Sequence, residues 1–202
     1  VEAYLRGLRR AADAGLDLTQ IQSVASFFVS RLDAAADVLL EASAAPEAQK
    51  LRSKLGIASA RIAYRHFRAC FSGTRWKALR SLGAVPQRLL WASTSTKDLR
   101  LRDVRYVEEL IGPETVTTLP KATLDAFEDH GHPRPGTLCR DVETAAATFS
   151  GLARLGIDVF ALTDELERDG IHRFAESTRR ATRTEPRSRS SWRSSSDSTG
   201  TS

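Results

Sequence analysis

The sequence is poor in cysteine and has no long apolar run. Its two cysteines, Cys70 and Cys139, lie far apart and form no C-x-x-C motif. This spacing favours reduced, buried thiols over a disulfide, and we expect a cytoplasmic protein. No apolar stretch approaches the roughly 20 residues that cross a bilayer, and no segment has the pattern of a signal peptide. We therefore expect no membrane partner.

A metal site is not indicated by the sequence. His130 and His132 are separated by one residue, but no third ligand follows at a useful spacing. A solvated loop is the favoured interpretation of this histidine pair. We expect neither a metal nor a cofactor.

The positive charge of the chain is concentrated at its end. The net charge is +5, yet residues 173–202 alone contain seven arginines against three acidic residues, which leaves +1 for the rest. From about Ser177 the sequence is Arg/Ser-rich and loses its hydrophobic periodicity, so we expect residues 177–202 to be a disordered tail. We expect no nucleic-acid partner. RNA binding by this tail is the alternative, and deletion of the tail would test it.

The remaining residues alternate between strand and helix patterns. Strands are predicted at 21–29, 88–94 and 115–119, and the first is apolar on both faces except for small serines. Helices are predicted at 2–14, 33–43, 46–70 and 74–82, and from Pro120. Asp103 is predicted to cap a further helix, and Asp141 to cap the first of three terminal helices at 141–155, 158–169 and 171–180. This alternation predicts a parallel α/β sheet. Three strands cannot close a barrel, so residues 1–176 resemble the last part of a larger protein.

Candidate site residues, most of them polar, lie at or just after the end of each predicted strand. Parallel barrels place their catalytic and binding residues at these ends. The three groups are Ser26, Phe28, Ser30 and Arg31; Ser93, Thr94, Ser95, Thr96 and Lys97; and Thr117 and Thr118. Cations among hydroxyl donors indicate a phosphate site at Arg31 and Lys97. The alternative is that both cations are solvated loop charges.

Lys97 is open to two roles, an amine nucleophile or a phosphate anchor. A nucleophilic lysine needs a pKa depressed by burial or by a nearby cation, with a carboxylate within reach. The surrounding STSTKD is a polar loop, and Asp98 would stabilise an ammonium beside it. These features favour the phosphate anchor.

Four stretches together resemble transaldolases of the longer actinobacterial and cyanobacterial type. They are SVASFFVSRLD, LLWASTSTKD, YVEELIGPETVTTLPKATLDAFEDHG and GIDVFALTDELERDGIHRF, and the resemblance extends from residue 1 to about 176. It implies an incomplete (β/α)₈ barrel containing the last three strands and the terminal helices. It also implies a transferase of the pentose phosphate pathway. Such enzymes move a dihydroxyacetone unit from sedoheptulose 7-phosphate to glyceraldehyde 3-phosphate, yielding erythrose 4-phosphate and fructose 6-phosphate.

The first strand carries three of the site residues that the resemblance implies. The family's S-P-F-V-G-R stretch appears here as SFFVSR. Ser26 is then expected to touch the substrate, Phe28 to shape the pocket and Arg31 to grip the phosphate. Phe27 and Ser30 depart from the family pattern and change the local loop.

The other three implied site residues lie at the end of the second strand and in the loop that follows it. The family's G-A-S-F-R stretch is matched by Ala92 and Ser93, and its serine and arginine bind phosphate. Lys97 stands in for that arginine after a short insertion, with Ser95 as the competing position. The substrate-binding set is therefore Ser26, Phe28, Arg31, Ser93, Ser95 and Lys97.

The family's catalytic groups are expected upstream of this chain. Its Schiff-base lysine and its two acid–base carboxylates belong to earlier strands than those predicted here. We therefore expect no catalytic residue in the chain, and no activity from the chain alone. Two alternatives remain: a non-catalytic module that binds sugar phosphates, and a complete aldolase that uses Lys97 as its amine. The oligomeric state is left open.

Overall fold

A computed structural model describes residues 1–184, with side chains to residue 180, and shows an α/β protein. Its sheet has three parallel strands in sequence order: β1 (Val24–Phe28), β2 (Arg88–Ala92) and β3 (Thr115–Thr117). The predicted parallel α/β sheet is confirmed. Residues 1–163 form one compact unit, and Asp164 begins a second.

Helices connect and follow the strands. They are α1 (Glu2–Asp13), α2 (Val29–Ala42), α3 (Pro46–Leu51), α4 (Leu55–Cys70), α5 (Thr74–Arg80), α6 (Arg105–Glu109), α7 (Lys121–His130), α8 (Val142–Arg154) and α9 (Val159–Thr184). Short 3₁₀ turns cover Leu18–Gln20 and Thr137–Cys139. Within residues 1–180, no single helix is long and apolar enough to cross a bilayer; α8 and α9 meet that criterion only when combined, by length and composition.

One face of the sheet packs on the helices and forms the main core. Leu89 and Trp91 of β2 are buried there with Tyr64 and Phe67 of α4. Phe27 of β1 meets Trp91 edge to face, with ring centroids 5.6 Å apart. This aromatic packing anchors α4 beneath the sheet.

The other face of the sheet is open. Val24 and Phe28 of β1 are 42% and 44% exposed, and Ser26 between them is also exposed. The apolar pattern of β1 is typical of a strand covered on both faces, but among the described residues only one face is covered. Within the described residues, β1 is an edge strand with helices on one side only.

The first strand ends earlier than predicted, and the next helix begins earlier. β1 stops at Phe28 and α2 starts at Val29, so Arg31 lies in the first turn of a helix. The backbone N–H of Ser30 still donates to the Ser93 carbonyl, in the register of the β1–β2 ladder. The chain therefore turns into α2 while its contact with the segment after β2 continues.

The predicted helix 46–70 is broken into α3 and α4. Ser53 lies at the break with a φ of 53°, and its backbone N–H and hydroxyl both donate to the Asp37 carboxylate at 2.7 Å. A side chain from α2 thus replaces the helical hydrogen bonds of the break.

A buried carboxylate joins α2, α4 and α6. Asp33 of α2 accepts hydrogen bonds from the Gly56 N–H and the Tyr106 hydroxyl, both at 2.7 Å. Burial raises the pKa of Asp33 despite these two donors. Gly56 allows the close approach, because a Cβ there would come within 2.5 Å of the Val29 carbonyl oxygen.

Two predicted helix caps do not form. Asp103 precedes α6 but makes no side-chain cap, because its carboxylate pairs with His130 at 2.8 Å. Asp141 is the N-cap residue of α8, yet its side chain makes no cap hydrogen bond and lies 3.8 Å from Arg61. His130 is thus exposed as predicted, but it is paired with carboxylates and lies at the end of α7 rather than in a loop.

The cysteines and the C-terminal helices also differ from expectation. Both cysteines are free, but Cys139 is exposed and Cys70 is half-buried, so the prediction of buried thiols is wrong. The two predicted terminal helices form the single helix α9, which continues to Thr184, past the predicted tail boundary at 177. The remainder of the predicted tail lies outside the described residues.

We expect loss of the Asp33 carboxylate to destabilise residues 1–163. Asp33→Ala should lower the free energy of unfolding by about 2–4 kcal/mol, because two buried donors lose their acceptor. Asp33→Asn should cost less, since its amide oxygen can still accept from Gly56. Urea unfolding measures both.

Asp125→Ala, at an exposed ion pair with Lys121, is the control and should change stability by less than about 0.5 kcal/mol. Equal losses for Asp33→Ala and the control would contradict the prediction.

The histidine at the end of α7 should make stability depend on pH. Hydrogen bonds from His130 to Asp103 and then Asp129, at 2.8 and 3.0 Å, raise its pKa above 6.5. Its stabilising contribution is therefore complete below about pH 6.5 and is lost as pH rises through the folded-state pKa. Urea unfolding between pH 6 and 9 should show this loss. His130→Gln should remove it and His132→Gln should retain it; an unchanged pH profile for His130→Gln would refute the assignment.

Candidate functional site

The ends of the three strands meet at one edge of the sheet. The register pairs Phe28 with Ala92 and Trp91 with Thr117, so the carboxyl ends of β1, β2 and β3 are level. The polar segments that follow each strand therefore begin side by side. This is the edge at which parallel α/β sheets place ligands.

Two serines join the first two strand ends. The hydroxyl oxygens of Ser30 and Ser93 are 2.8 Å apart, and the Ser30 N–H donates to the Ser93 carbonyl at 2.9 Å. Ser30 is almost fully buried, and Ser93 adopts a left-handed φ of 57°. A non-glycine residue in this conformation needs support from its surroundings, and the double link to Ser30 supplies it.

Two threonines join the second and third strand ends. The Thr94 hydroxyl, which is fully buried, donates to the Thr118 carbonyl at 2.7 Å. Thr118 in turn donates its N–H and its hydroxyl to the Trp91 carbonyl, at 2.9 and 3.2 Å. The sequence grouped these hydroxyls with the donors of the predicted phosphate site. The structure shows that Ser30, Thr94 and Thr118 hold the strand ends together, a function that only tertiary contacts reveal.

Arg31 rests on the ring of Phe28. Its guanidinium carbon lies 4.6 Å from the ring centroid, within cation–π range. Arg31 is exposed, and within the described residues it has no hydrogen-bond or ion-pair partner. The ring therefore orients the guanidinium while its N–H donors stay free for a ligand.

The other predicted site residues are less closely connected. Ser26 lies on the open face of the sheet, on the same side as Phe28. Ser95 is half-buried and Lys97 is exposed in the loop after β2. No contact described for residues 1–180 links the side chains of these three to Arg31 or to Ser93.

Asp98 pairs with an arginine in its own loop. Arg100 donates from Nε and Nη2 to the Asp98 carboxylate, at 2.9 and 2.6 Å, and these hydrogen bonds hold the pKa of Asp98 at about 2. Arg52 approaches the same carboxylate at 4.0 Å. No ion pair between Asp98 and Lys97 is described, although the sequence favoured one. Lys97 therefore lies in a loop whose one described carboxylate, that of Asp98, is already paired with Arg100.

The donor set at this edge suits an anion. Hydroxyls, a guanidinium and an ammonium can all donate to phosphate oxygens, and none of the six predicted residues is a carboxylate. Within the part of the chain that the structure describes, no group of three His, Cys, Asp or Glu side chains could hold a metal ion.

Comparisons with known proteins point to one family. The family model described as Transaldolase/Fructose-6-phosphate aldolase matches residues 5–185. The chain is 46% identical over 177 residues to a transaldolase of Frankia alni, covering 88% of this chain and 48% of the relative. Over 177 residues it is also 48% identical to a transaldolase of Acidothermus cellulolyticus and 44% identical to one of Mycolicibacterium smegmatis. In both cases the match covers 88% of this chain, and it covers 47% of the first relative and 48% of the second.

The resemblance that the sequence motifs indicated is thereby confirmed. The chain spans about half the length of the curated relatives that it matches. The family model, in contrast, covers nearly all of the described residues. This chain therefore belongs to the transaldolase/fructose-6-phosphate aldolase family.

Proposed function

We propose that this chain is the C-terminal part of a transaldolase. The complete enzyme would transfer a dihydroxyacetone unit from sedoheptulose 7-phosphate to glyceraldehyde 3-phosphate, as a transferase of the pentose phosphate pathway. The observation that carries the proposal is the identity of 46% over 177 residues to a relative named transaldolase. The chain covers only 48% of that relative, so the remaining machinery would come from the rest of the enzyme.

The open sheet face supports an incomplete (β/α)₈ barrel. Consecutive parallel strands in sequence order, with helices on one side, are the repeating unit of such a barrel. The exposed side of β1, with Val24, Ser26 and Phe28, would then face the barrel interior. Ser26 and Phe28 would thereby point toward a substrate bound above the inner residues.

The linked strand ends would bind the substrate phosphate. Arg31 is proposed to donate to the phosphate oxygens from its place on the Phe28 ring, and Ser93 to donate its hydroxyl. Ser95 and Lys97 would complete the set from the adjoining loop. Ser30 differs from the glycine of the family pattern, and its link to Ser93 would position that serine.

The amine nucleophile is proposed to lie in the part of the enzyme outside this chain. That lysine would condense with the ketose carbonyl, releasing water and forming a Schiff base. Its two acid–base carboxylates would lie upstream with it. Lys97 is exposed rather than buried, which suits a phosphate anchor better than a nucleophile.

A second candidate is a sugar-phosphate-binding fragment without turnover. The separate observation in its favour is that Arg31 and Lys97 are both exposed and unpartnered among the described residues, so an anion can reach them without the missing half. Measurable binding of fructose 6-phosphate by the chain alone would favour this candidate.

Borohydride trapping should show no nucleophile in the chain. Incubated with fructose 6-phosphate and borohydride, the 202-residue protein should gain no mass, because its lysines all lie among the described residues and each is exposed rather than buried. Mass spectrometry measures the adduct, and the Frankia alni transaldolase is the positive control. An adduct that Lys97→Ala abolishes would establish Lys97 as the amine and overturn this proposal.

Loss of Arg31 should weaken substrate binding more than loss of Lys97. The assay requires a fusion in which this chain follows the N-terminal half of the Frankia alni relative. Arg31→Ala should raise KM for sugar phosphates about 10- to 100-fold, because a charged hydrogen bond is worth about 1.5–3 kcal/mol. Lys97→Ala should raise it about 3- to 10-fold, since an ammonium acts as a point charge.

Both variants should keep the borohydride-trapped adduct at saturating substrate. Arg31→Lys should recover part of the loss, and Arg10→Ala, at an exposed arginine of α1, should leave KM unchanged. A KM that is unaffected by Arg31→Ala would exclude Arg31 from the phosphate site.

A further inference from the structure

A cavity of about 340 Å³ lies away from the strand ends. We name it the α4 cleft; it is lined by Tyr64, Arg65 and Arg68 of α4, by Leu138 and Cys139 of the 3₁₀ turn, and by Val142 of α8. None of these residues belongs to the candidate substrate site. The volume is at the lower end of the range that holds small ligands, about 300–1,000 Å³.

The floor of the α4 cleft is apolar. Leu138 is fully buried, Tyr64 is 4% exposed and Val142 is half-buried. The Tyr64 hydroxyl is turned to the Pro113 carbonyl at 3.2 Å, and burial raises its pKa, so its ring presents an uncharged surface. Leu138 and Tyr64 offer little accessible surface of their own, so a flat apolar group would be desolvated mainly against Val142 and Ala69, which also lines the cleft.

Arg65 and Arg68 carry charge at the cleft that no acidic side chain balances. They are three residues apart on α4, so they project from the same side of the helix. Both are exposed, and neither has an ion-pair or hydrogen-bond partner in the part of the chain that the structure describes. Two guanidinium groups at one apolar cleft form a site for a multiply charged anion.

Arg61 of α4 also lines the cleft, and it is paired with acidic side chains. Its side chain is 10% exposed, and its Nη2 donates to Glu109 at 2.6 Å while Nη1 lies 3.8 Å from Asp141. Those two acids balance the charge of Arg61, so they leave Arg65 and Arg68 uncompensated. The Nε atom of Arg61 is buried without a hydrogen-bond partner, which is costly unless another group satisfies it.

We propose that the α4 cleft binds an aromatic organophosphate of about the size of a nucleoside monophosphate. The aromatic body lies against Tyr64, Leu138 and Val142, and the phosphate takes hydrogen bonds from Arg65 and Arg68. Guanidinium planes also stack on aromatic rings, so the arginines contact both parts of the ligand. Because no residue of the strand-end site is involved, this inference stands or falls separately from the proposed function.

Titration of the chain with adenosine 5′-monophosphate tests the site. Calorimetry should give a Kd below about 1 mM, whereas adenosine and inorganic phosphate should each bind at least about tenfold more weakly. The Arg65→Ala/Arg68→Ala double variant should lose at least about tenfold in affinity. The matched control is Arg6→Ala/Arg10→Ala, which removes the same charge from exposed positions of α1 and should bind normally.

A second measurement reports on the cleft itself. Cys139 lines the cleft and is exposed, so bound nucleotide should slow its alkylation by iodoacetamide at least about threefold. Cys70 does not line the cleft and is the internal reference, with an unchanged rate. Val142→Trp should fill the cleft and abolish both binding and protection, while its urea unfolding shows that the fold is retained.

Four results would overturn the proposal. They are no binding of adenosine 5′-monophosphate, unchanged affinity in the Arg65→Ala/Arg68→Ala variant, inorganic phosphate that binds as tightly as the nucleotide, and unprotected Cys139 at saturating nucleotide. The third result would show a plain anion patch rather than a site for an aromatic ligand.

Discussion

The carboxylate of Asp33 is the interaction on which the arrangement of the helices depends. It is one acceptor shared by a backbone donor of α4 and a phenol of α6, and it lies on α2, the helix that presents Arg31. Burying a carboxylate is costly, and here the raised pKa reflects that cost. Gly56 makes the contact possible because no side chain separates the two helices. The direction of Arg31 is therefore determined partly by contacts on the far side of its own helix.

The strand ends depend on hydroxyl groups rather than on charges. Ser30 with Ser93, and Thr94 with Thr118, add side-chain hydrogen bonds between the strands where the assigned ladder ends. The cations remain outside these links, with Arg31 oriented only by the Phe28 ring. A neutral, hydrogen-bonded frame with cations at its rim is consistent with the proposed anion site, because preorganised donors lose less entropy on binding.

Sequence patterns predicted the elements whose signals are local. The positions of all three strands follow from short runs of apolar or β-branched residues, and the longer motifs indicated the family. Two of the errors share a physical cause, which is competition from a distant partner. Asp37 breaks the helix at Ser53, and His130 takes the carboxylate of Asp103 from its predicted cap. For the proposed site, the motifs indicated candidate residues, but the link from Ser30 to Ser93 spans residues far apart in sequence and has no local signature.

The alternation along β1 sets a limit on how this segment can change in evolution. Phe27 packs on Trp91 in the core, whereas Ser26 and Phe28 face the open side. Side chains alternate between the two faces of a strand. Deletion of one residue would therefore move core-facing side chains to the open face and open-face side chains to the core. A serine would enter the aromatic core, and the Phe28 ring would no longer lie beneath Arg31. A single-codon insertion or deletion in β1 would therefore disturb the core and the proposed anion site together.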